Sequence, residues 1–379
     1  MKLADRVERV PPSGIRKFFD LAAEAEDVIS LGVGEPDFAT PWSAREAAIS
    51  SLERGRTSYT SNRGLSELRA AISERERKQR GLDYDPDDEV LVTAGASEAI
   101  DLAFRALVDP GDTVAIGQPS YVCYPPGAIF AGGEVLSVPT QASEDFALTR
   151  AALEDSGAAD ASVLVCCYPN NPTGATMSAE ELEPVAEFCR EHDLAVVSDE
   201  IYADLTYEGD HASIATLPGM RERTIVVNGF SKAHAMTGLR LGYALAPAEA
   251  SAAMTRVHQY TMLSAPTTAQ YAAIDALENC EADVAEMRTQ YDRRRRYVLS
   301  RFAEMGIDCF EASGAFYVFP EAPGGDAEAF AEALLEEAGV AVVPGDVFGE
   351  GGAGHLRVSY ATGLSDLREA MDRIESFVT

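Results

Sequence analysis

The segment Thr224–Ala246 reads TIVVNGFSKAHAMTGLRLGYALA. It opens on four β-branched residues, Thr224–Val227, which predict a buried strand, and it ends in a second apolar run, Leu241–Ala246, which predicts another. Lys232 follows the first run through a short turn. Ligands of α/β sheets bind just beyond the carboxyl ends of strands, so this lysine lies where a site is expected. A lysine there can form a Schiff base with a carbonyl or act as a base, whereas a lone lysine in a loop is more commonly just exposed.

The central part of the chain alternates short apolar runs with helical patterns. Five further runs predict strands at Glu89–Thr93, Thr113–Ile116, Glu134–Val138, Ser162–Cys167 and Ala195–Ser198. The periodicity between them predicts helices, among them Ser97–Val108, Ser178–His192 and Pro266–Glu278. This alternation is typical of an α/β fold in which helices cover both faces of a mostly parallel sheet, here of seven strands.

The two ends of the chain show another pattern. Thr40-Pro41 predicts a helix start, with threonine as the capping residue and proline at the first helical position. The C-terminal third predicts helices Asp283–Met305, Asp326–Ala338 and Ser365–Phe377 and strands Val340–Val343 and His355–Tyr360. We therefore expect a large domain over residues 41–285 and a smaller α+β domain that combines residues 1–40 with 286–379.

Two clusters of charged residues are expected to form solvated helix faces. They are the arginine run Arg293–Arg296 and the segment Glu74–Arg80, in which the sign of the charge alternates. The 31 basic and 62 acidic residues give a net charge of −31, which repels phosphate backbones. We therefore expect no nucleic-acid partner, despite the arginine run.

The composition also indicates where the protein works. An acid excess with only four lysines is typical of a halophilic surface, so we expect a halophilic archaeon as the source; an acidic protein from a GC-rich genome is the alternative. No run of eighteen apolar residues occurs, and Met1–Arg9 resembles neither a signal nor a transit peptide. A cytoplasmic protein without membrane contact is expected.

Neither the six cysteines nor the five histidines form a metal-ligand pattern. The cysteines lack CxxC spacing and lie mostly in apolar stretches, as buried reduced thiols do. The histidines form no HxxxH or HExxH pair. We expect no metal site.

Polar side chains collect after several predicted strands. Asp199 and Tyr202 follow one strand, and Asn171 follows its neighbour. Gly95-Ala96-Ser97 lies between a strand and a helix, where backbone amides, the helix N-terminus and a hydroxyl make an anion cradle. Arg240 adds a cation eight residues after the turn lysine. Parallel strands end at one edge, so these groups predict a single pocket.

Together with Lys232, these groups meet the requirements of pyridoxal phosphate (PLP). Its aldehyde requires a lysine amine, its phosphate requires amides and a cation, and its pyridinium nitrogen requires a carboxylate such as Asp199. Tyr121 follows another predicted strand and can supply the aromatic ring on which the cofactor stacks. The residues therefore predict a PLP site.

Nine stretches, in matching order and spacing, extend this prediction. They are residues 12–16 (PSGIR), 31–38 (LGVGEPDF), 59–69 (YTSNRGLSELR), 93–100 (TAGASEAI), 168–174 (YPNNPTG), 198–202 (SDEIY), 229–243 (GFSKAHAMTGLRLGY), 314–320 (GAFYVFP) and 355–361 (HLRVSYA). With them the chain resembles the fold-type-I, class I/II aminotransferases of the aspartate aminotransferase superfamily. The resemblance runs almost from end to end.

The resemblance implies a role for each cofactor-binding residue. Lys232 would form the Schiff base with PLP and move the proton once an amino acid displaces it, and Asp199 would pair with the ring nitrogen. Asn171 and Tyr202 would hold the ring oxygen. The phosphate would be held by the cradle that begins at Gly95 and by further donors, which are Ala96, Ser97, Ser231 and Arg240.

The remaining implied roles concern the substrate and a second subunit. Arg357 would grip the substrate α-carboxylate, and Gly34 would let the substrate approach closely. Ile15 and Phe348 would line the entrance. Tyr59 would reach the phosphate of a neighbouring subunit, which makes a homodimer with shared active sites the expected active unit.

One departure from the family pattern is Gly229, where a serine is common, so one hydroxyl that would bind the phosphate is absent.

The implied reaction is ping-pong transamination with a 2-oxo acid, 2-oxoglutarate being expected, and with a donor of the aspartate or aromatic type. Arg256 and His258 could approach the partner's site, but ordinary helix-surface charge is the favoured interpretation. A PLP-dependent carbon–sulfur β-lyase and, more remotely, a non-catalytic PLP-fold regulator remain alternatives.

Overall fold

The computed structural model describes residues 1–15 and 27–379. Its α-helices are α1 (Asp5–Glu8), α2 (Trp42–Glu53), α3 (Ser66–Arg80), α4 (Ala96–Leu107), α5 (Tyr124–Ala131), α6 (Arg150–Asp155), α7 (Ala179–Glu191), α8 (Ala248–Thr261), α9 (Thr267–Asn279), α10 (Glu281–Glu304), α11 (Ala327–Ala338) and α12 (Leu364–Val378). Its strands are β1 (Ile29–Ser30), β2 (Val90–Thr93), β3 (Thr113–Gln118), β4 (Glu134–Pro139), β5 (Val163–Cys167), β6 (Ala195–Asp199), β7 (Thr224–Gly229), β8 (Gly242–Leu245), β9 (Tyr317–Val318), β10 (Val340–Ala341), β11 (Val343–Pro344) and β12 (Leu356–Ser359).

The largest sheet has seven strands in the order β2-β8-β7-β6-β5-β3-β4. All neighbours from β7 through to β4 are parallel, whereas β8 runs antiparallel to both β7 and β2. Each of the seven predicted strands is present, with bounds that differ by one or two residues at an end. The prediction of an α/β fold built on a mostly parallel sheet is confirmed.

Burial explains why the apolar runs form this sheet. Every residue of β2, β5, β7 and β8 is buried, as expected for a sheet covered on both faces. Helix α7 begins with a capping box, in which the Ser178 hydroxyl accepts from the Glu181 amide and the Glu181 carboxylate accepts from the Ser178 amide. The predicted helix over residues 178–192 is confirmed.

Two small sheets lie outside the large one. Strand β1 pairs in parallel with β10, Ile29 opposite Val340, so the N-terminal part of the chain joins the C-terminal part. Strands β11, β12 and β9 form an antiparallel sheet. This pairing supports a smaller unit assembled from both ends; the boundary at residue 285 stays a prediction.

The expected threonine cap at residue 40 is wrong. Helix α2 begins at Trp42 with Pro41 before it, and no side chain caps its first amides. The Thr40 hydroxyl instead donates to the carbonyl of Ala235, at 2.6 Å. This contact ties residue 40 to the turn after Lys232, and only the tertiary fold brings the two together.

The arginine run is also not a solvated face throughout. Arg294 and Arg295 are buried, while the two arginines beside them are exposed. Arg294 donates to both carboxylate oxygens of Asp37, at 2.8 and 2.9 Å. Arg295 donates to the carbonyl of Ala312 at 2.7 Å and to the carboxylate of Glu208 at 2.8 Å. A buried cation requires such partners, and they come from distant parts of the sequence.

The segment Glu74–Arg80 likewise contributes to a buried ion cluster. Glu76 accepts from Arg80 and from the Tyr243 hydroxyl, both at 2.6 Å. Arg80 also donates to Asp204 at 2.6 Å. Burial alone would raise the pKa of Asp204, but Arg80 and Arg75 hold it well below its usual range. Part of the segment Glu74–Arg80 therefore faces the interior of the protein, whereas the sequence analysis expected the whole segment to be a solvated helix face.

Within the described residues, no helix is both long and apolar enough to cross a membrane. Nor do residues 1–15 and 27–379 hold a group of three histidine, cysteine, aspartate or glutamate side chains placed to bind a metal ion. The six cysteines are free thiols, and four of them are buried.

Replacing Asp37 by asparagine should lower the free energy of unfolding by about 2 kcal/mol. Loss of a partner from a fully buried ion pair costs roughly 3–5 kcal/mol, and Asp37 keeps some exposure. Urea unfolding at one fixed, high salt concentration measures the change. Glu208→Gln is the matched control, because Arg295 retains Asp292 and a carbonyl; it should cost less than about 1 kcal/mol. Equal losses in the two variants would contradict this assignment.

Candidate active site

A cavity of about 560 Å³ lies at the carboxyl ends of β5, β6 and β7. Most of the predicted site residues line it, namely Ile15, Gly34, Ala96, Ser97, Tyr121, Asn171, Asp199, Tyr202, Ser231, Lys232, Arg240 and Arg357. Gly95, Phe348 and Tyr59 do not line it. Arg16, which ends the first family-like stretch, lies outside the described residues.

The Lys232 amine is held inside the cavity. Its Nζ donates to the carbonyl of Gly34 at 2.6 Å, and the rings of Tyr202 and Phe316 lie 5.7 and 5.5 Å away. Burial, together with the nearby charge of Arg357, lowers the pKa of Lys232 to about 8. At pH 7 the reactive neutral amine is therefore on the order of 300 times more abundant than in an ordinary lysine.

Asp199 ends β6 and is held by two donors. Its Oδ2 accepts from the Tyr124 hydroxyl at 2.7 Å, and its Oδ1 accepts from the amide of Ile201 at 3.1 Å. Burial raises the pKa of Asp199 to about 6, although the Tyr124 hydrogen bond acts in the opposite direction. A cation placed beside the carboxylate would keep it ionised. A protonated ring nitrogen is such a cation.

The predicted anion cradle forms at the start of α4. The helix begins at Ala96, and the first amides of a helix have no partner within it. Gly95 has φ +85°, and a Cβ there would lie 2.7 Å from Nη2 of Arg240. The Arg240 guanidinium therefore lies against the cradle, and only glycine leaves it room. Ser231 brings a hydroxyl to the same cavity.

Two tyrosine side chains that line the same cavity as Lys232 contact each other. The hydroxyls of Tyr202 and Tyr317 lie 3.0 Å apart, and both side chains are buried. Burial raises the pKa of Tyr202 well above its usual value, and the Tyr317 hydroxyl adds to this shift. A neutral phenol at this position can donate a hydrogen bond into the cavity.

The guanidinium of Arg357 is buried, and two of its three nitrogens donate hydrogen bonds. Its Nη1 donates to Oδ1 of Asn171 at 3.0 Å and its Nη2 to the carbonyl of Gly32 at 2.5 Å. The rings of Tyr317 and Phe348 flank it at 4.7 and 4.8 Å. Its Nε is buried and has no hydrogen-bond partner among residues 1–15 and 27–379. A buried cation with an unused donor is a strong site for a carboxylate.

The other predicted residues differ in position. Tyr121 lines the cavity and packs edge-on against Tyr124, with ring centroids 5.9 Å apart. Phe348 packs against Ile15, and the guanidinium of Arg357 lies over its ring, so Phe348 supports two cavity-lining residues without lining the cavity itself. Tyr59 is 80% exposed and lies away from the cavity of its own chain.

Sequence reasoning missed several cavity residues. Tyr124, Tyr317, Glu35 and Thr237 all line the cavity but had no assigned role. Tyr317 lies in a stretch already matched to the family, so a signal existed for it. The sequence separation of Tyr124 and Asp199 gives no sign that their side chains form a hydrogen bond.

The interpretation of His258 as surface charge is wrong. Its side chain is fully buried, and its Nδ1 lies 2.7 Å from Oε1 of Glu98. Arg256, two residues before it, is exposed, as expected.

Comparison with known proteins agrees with this geometry. The profile of the family "Aminotransferase class I and II" matches residues 26–374. The chain is 45% identical to an aspartate aminotransferase of Pyrococcus abyssi and 44% identical to aromatic-amino-acid aminotransferase 2 of Thermococcus litoralis, in each case covering 99% of this chain and 98% of the relative. A structure of Thermus thermophilus aspartate aminotransferase with maleate superimposes with a TM-score of 0.95, at 40% identity and with full coverage of both chains.

The chain therefore belongs to the class I and II aminotransferases, and it is a PLP-dependent enzyme of fold type I. The cavity fits that cofactor. It combines a buried lysine of lowered pKa, a buried carboxylate, a helix N-terminus beside an arginine, and a second arginine whose Nε has no partner. These are the donors and acceptors that the aldehyde, ring nitrogen, phosphate and substrate carboxylate require.

Replacing Glu35 by glutamine should lower the pKa of Lys232 further. The negative charge of Glu35 favours the protonated amine, so its loss favours the neutral form. The rate at which the cofactor-free protein captures PLP, followed by absorbance, should rise with pH through a midpoint near 8 in the wild type. The midpoint should lie at lower pH in Glu35→Gln.

Thr237→Val is the matched control for that measurement. The Thr237 hydroxyl donates to Glu35, so this variant removes the hydrogen bond and leaves the charge in place. Its midpoint should stay close to that of the wild type. An unchanged or higher midpoint in Glu35→Gln would show that Glu35 does not act on the amine.

Proposed function

We propose that this aminotransferase moves an amino group from an aromatic or acidic L-amino acid to 2-oxoglutarate. The observation that carries the proposal is the pairing of two buried groups in one cavity. They are the Lys232 amine, with its pKa near 8, and the Arg357 guanidinium, with its free Nε. The aspartate and aromatic aminotransferases named among the relatives support this substrate range.

When bound, PLP supplies an electron sink that stabilises negative charge at the substrate Cα. Asp199 would bind the ring nitrogen and keep it protonated, and the Tyr124 hydrogen bond would hold the carboxylate in place. Asn171 and Tyr202 would donate to the ring oxygen. Tyr121 would stack on the ring.

The phosphate would be held at the start of α4. The amides of Ala96 and Ser97, the Ser231 hydroxyl and the Arg240 guanidinium offer donors on one side of the cavity. Gly229 adds no hydroxyl there. Packing explains why residue 229 is a glycine, because a Cβ there would lie 2.9 Å from the Cα of Gly242 in the adjacent strand.

Lys232 would move the proton at the substrate Cα. Its neutral Nζ would accept the proton, and its contact with the Gly34 carbonyl supports this role, because it holds the amine inside the cavity. Arg357 would orient the substrate by gripping the α-carboxylate. The burial of Asn171, Asp199, Tyr202 and Arg357 keeps these side chains out of bulk solvent, which strengthens their hydrogen bonds and charges toward a bound substrate.

A carbon–sulfur β-lyase would use the same lysine, aspartate and arginine. The relatives, named as aminotransferases, favour transamination. One cavity serves both substrates in turn, so the oxo acid product leaves before the second substrate binds. This is the ping-pong order expected from the sequence.

An absorbance experiment distinguishes these reactions. At near-neutral pH, addition of aspartate or an aromatic amino acid to the PLP-loaded protein should decrease the absorbance band of the bound cofactor. Addition of 2-oxoglutarate should restore the band, with the oxo acid of the donor as product. Accumulation of pyruvate and ammonia from cysteine-type substrates, without this cycle, would favour the lyase instead.

The active unit is proposed to be a homodimer in which Tyr59 serves the partner's site. The exposure of Tyr59 supports this, and other exposed apolar residues lie nearby in sequence, among them Ile49 and Leu52. Mixing Lys232→Ala subunits with Tyr59→Ala subunits should produce heterodimers with one intact site. Activity should recover to as much as half of the wild-type value per heterodimer.

Failure of the mixed subunits to recover activity, with exchange verified by mass spectrometry, would show that Tyr59 serves its own chain. Full activity of the Tyr59→Ala protein by itself would show that Tyr59 serves no site. The net charge of −31 supports one further proposal, function at high salt, where ions screen the repulsion.

A further inference from the structure

A partly buried carboxylate lies next to the anion cradle. Glu98, in the first turn of α4, accepts from the amide of Ala94 through Oε2 at 2.5 Å. Ala94 immediately precedes Gly95, the residue that lets Arg240 approach. Glu98 therefore fixes the peptide that enters the cradle, one residue before Gly95.

The second oxygen of this carboxylate is bonded to a fully buried histidine. Oε1 of Glu98 lies 2.7 Å from Nδ1 of His258, which lies on α8. A carboxylate oxygen only accepts, so the hydrogen lies on Nδ1. In the part of the chain that the structure describes, the buried Nε2 has no partner, so the bond to Glu98 is the side-chain hydrogen bond that fixes the ring.

Helix α8 is itself anchored on both sides of His258. Arg63 donates to the Ser251 hydroxyl at 2.7 Å, and the Asn62 amide donates to the carbonyl of Leu263 at 2.6 Å. These contacts tie α8 to the segment before α3. The histidine is therefore a fixed point against which the cradle can be aligned.

We propose that Glu98 and His258 are positioning residues for the phosphate of PLP. The assignment rests on the proposed function, and it adds residues that do not touch the cofactor. Glu98 holds the Ala94 amide away from the cradle, and His258 holds Glu98 in the required rotamer. Without the pair, the peptide before Gly95 can rotate and the cradle loses its alignment.

The charge of Glu98 makes this proposal distinguishable from an electrostatic role. A carboxylate near a phosphate repels it, so loss of the charge alone would strengthen phosphate binding. Loss of positioning would weaken it. The two roles therefore predict opposite changes in the affinity for PLP.

The test compares the affinity of the cofactor-free protein for PLP and for pyridoxal, which lacks the phosphate. Absorbance titrations would be made on the wild type, Glu98→Ala, Glu98→Gln and His258→Phe. Asp101→Ala is the matched control, because Asp101 lies on the same helix and forms an exposed ion pair with Arg105. Thermal unfolding would verify that each variant is folded.

Glu98→Ala should weaken PLP binding about tenfold or more and change pyridoxal binding less than about twofold. His258→Phe should give a smaller loss in the same direction. Glu98→Gln keeps one oxygen for the Ala94 amide, and its NH2 group can donate to Nδ1 of His258 once the ring hydrogen moves to Nε2, so this variant should stay within about threefold of the wild type. His258→Phe carries the test if the alanine variant does not fold. Asp101→Ala should match the wild type for both ligands.

Two results would overturn the assignment. One is an equal loss for PLP and pyridoxal, which indicates general damage to the site, and the other is unchanged or tighter PLP binding in both folded Glu98 variants. Failure of the wild type itself to bind PLP would instead overturn the proposed function. The two failures are thus distinct.

Discussion

The burial of two cations, Lys232 and Arg357, in one cavity is the constraint on which the site depends. Taking a positive charge out of water is costly unless the group loses its proton or finds partners. The pKa of Lys232 shifts in the first direction, to about 8, and Arg357 follows the second course, with Asn171 and the Gly32 carbonyl as partners. The shift makes the Lys232 amine easier to deprotonate, and the Nε of Arg357 has no partner among the described residues.

The fold makes this burial possible because the parallel strands all end at one edge. Asn171 follows β5, Asp199 ends β6 and Lys232 follows β7, so three neighbouring strands bring them together, while β12 brings Arg357 from the far end of the chain. The pairing of β1 with β10 holds the N-terminal segment close to that arginine. The cavity is thus closed by parts of the sequence that lie more than 300 residues apart.

Residues that act within contiguous motifs could be predicted from the sequence, and pairs formed across the fold could not. The seven strands follow from apolar runs, and the shared cavity of Lys232, Asp199 and Arg240 follows from family-like stretches. The inward charges of Arg294 and Glu76 could not be predicted, because a charge run on a helix looks the same whether or not distant carboxylates and arginines cover it. The hydrogen bonds of Asp199 to Tyr124 and of His258 to Glu98 likewise join residues 75 and 160 positions apart.

The central claim is that Lys232, alone among the four lysines, binds the cofactor covalently. Reduction of the PLP-loaded protein with sodium borohydride makes that bond permanent, and peptide mass mapping then locates it. The account predicts one phosphopyridoxyl group per chain, on the peptide that contains Lys232. A label on another lysine, or no label on a protein that retains the cofactor, would contradict it.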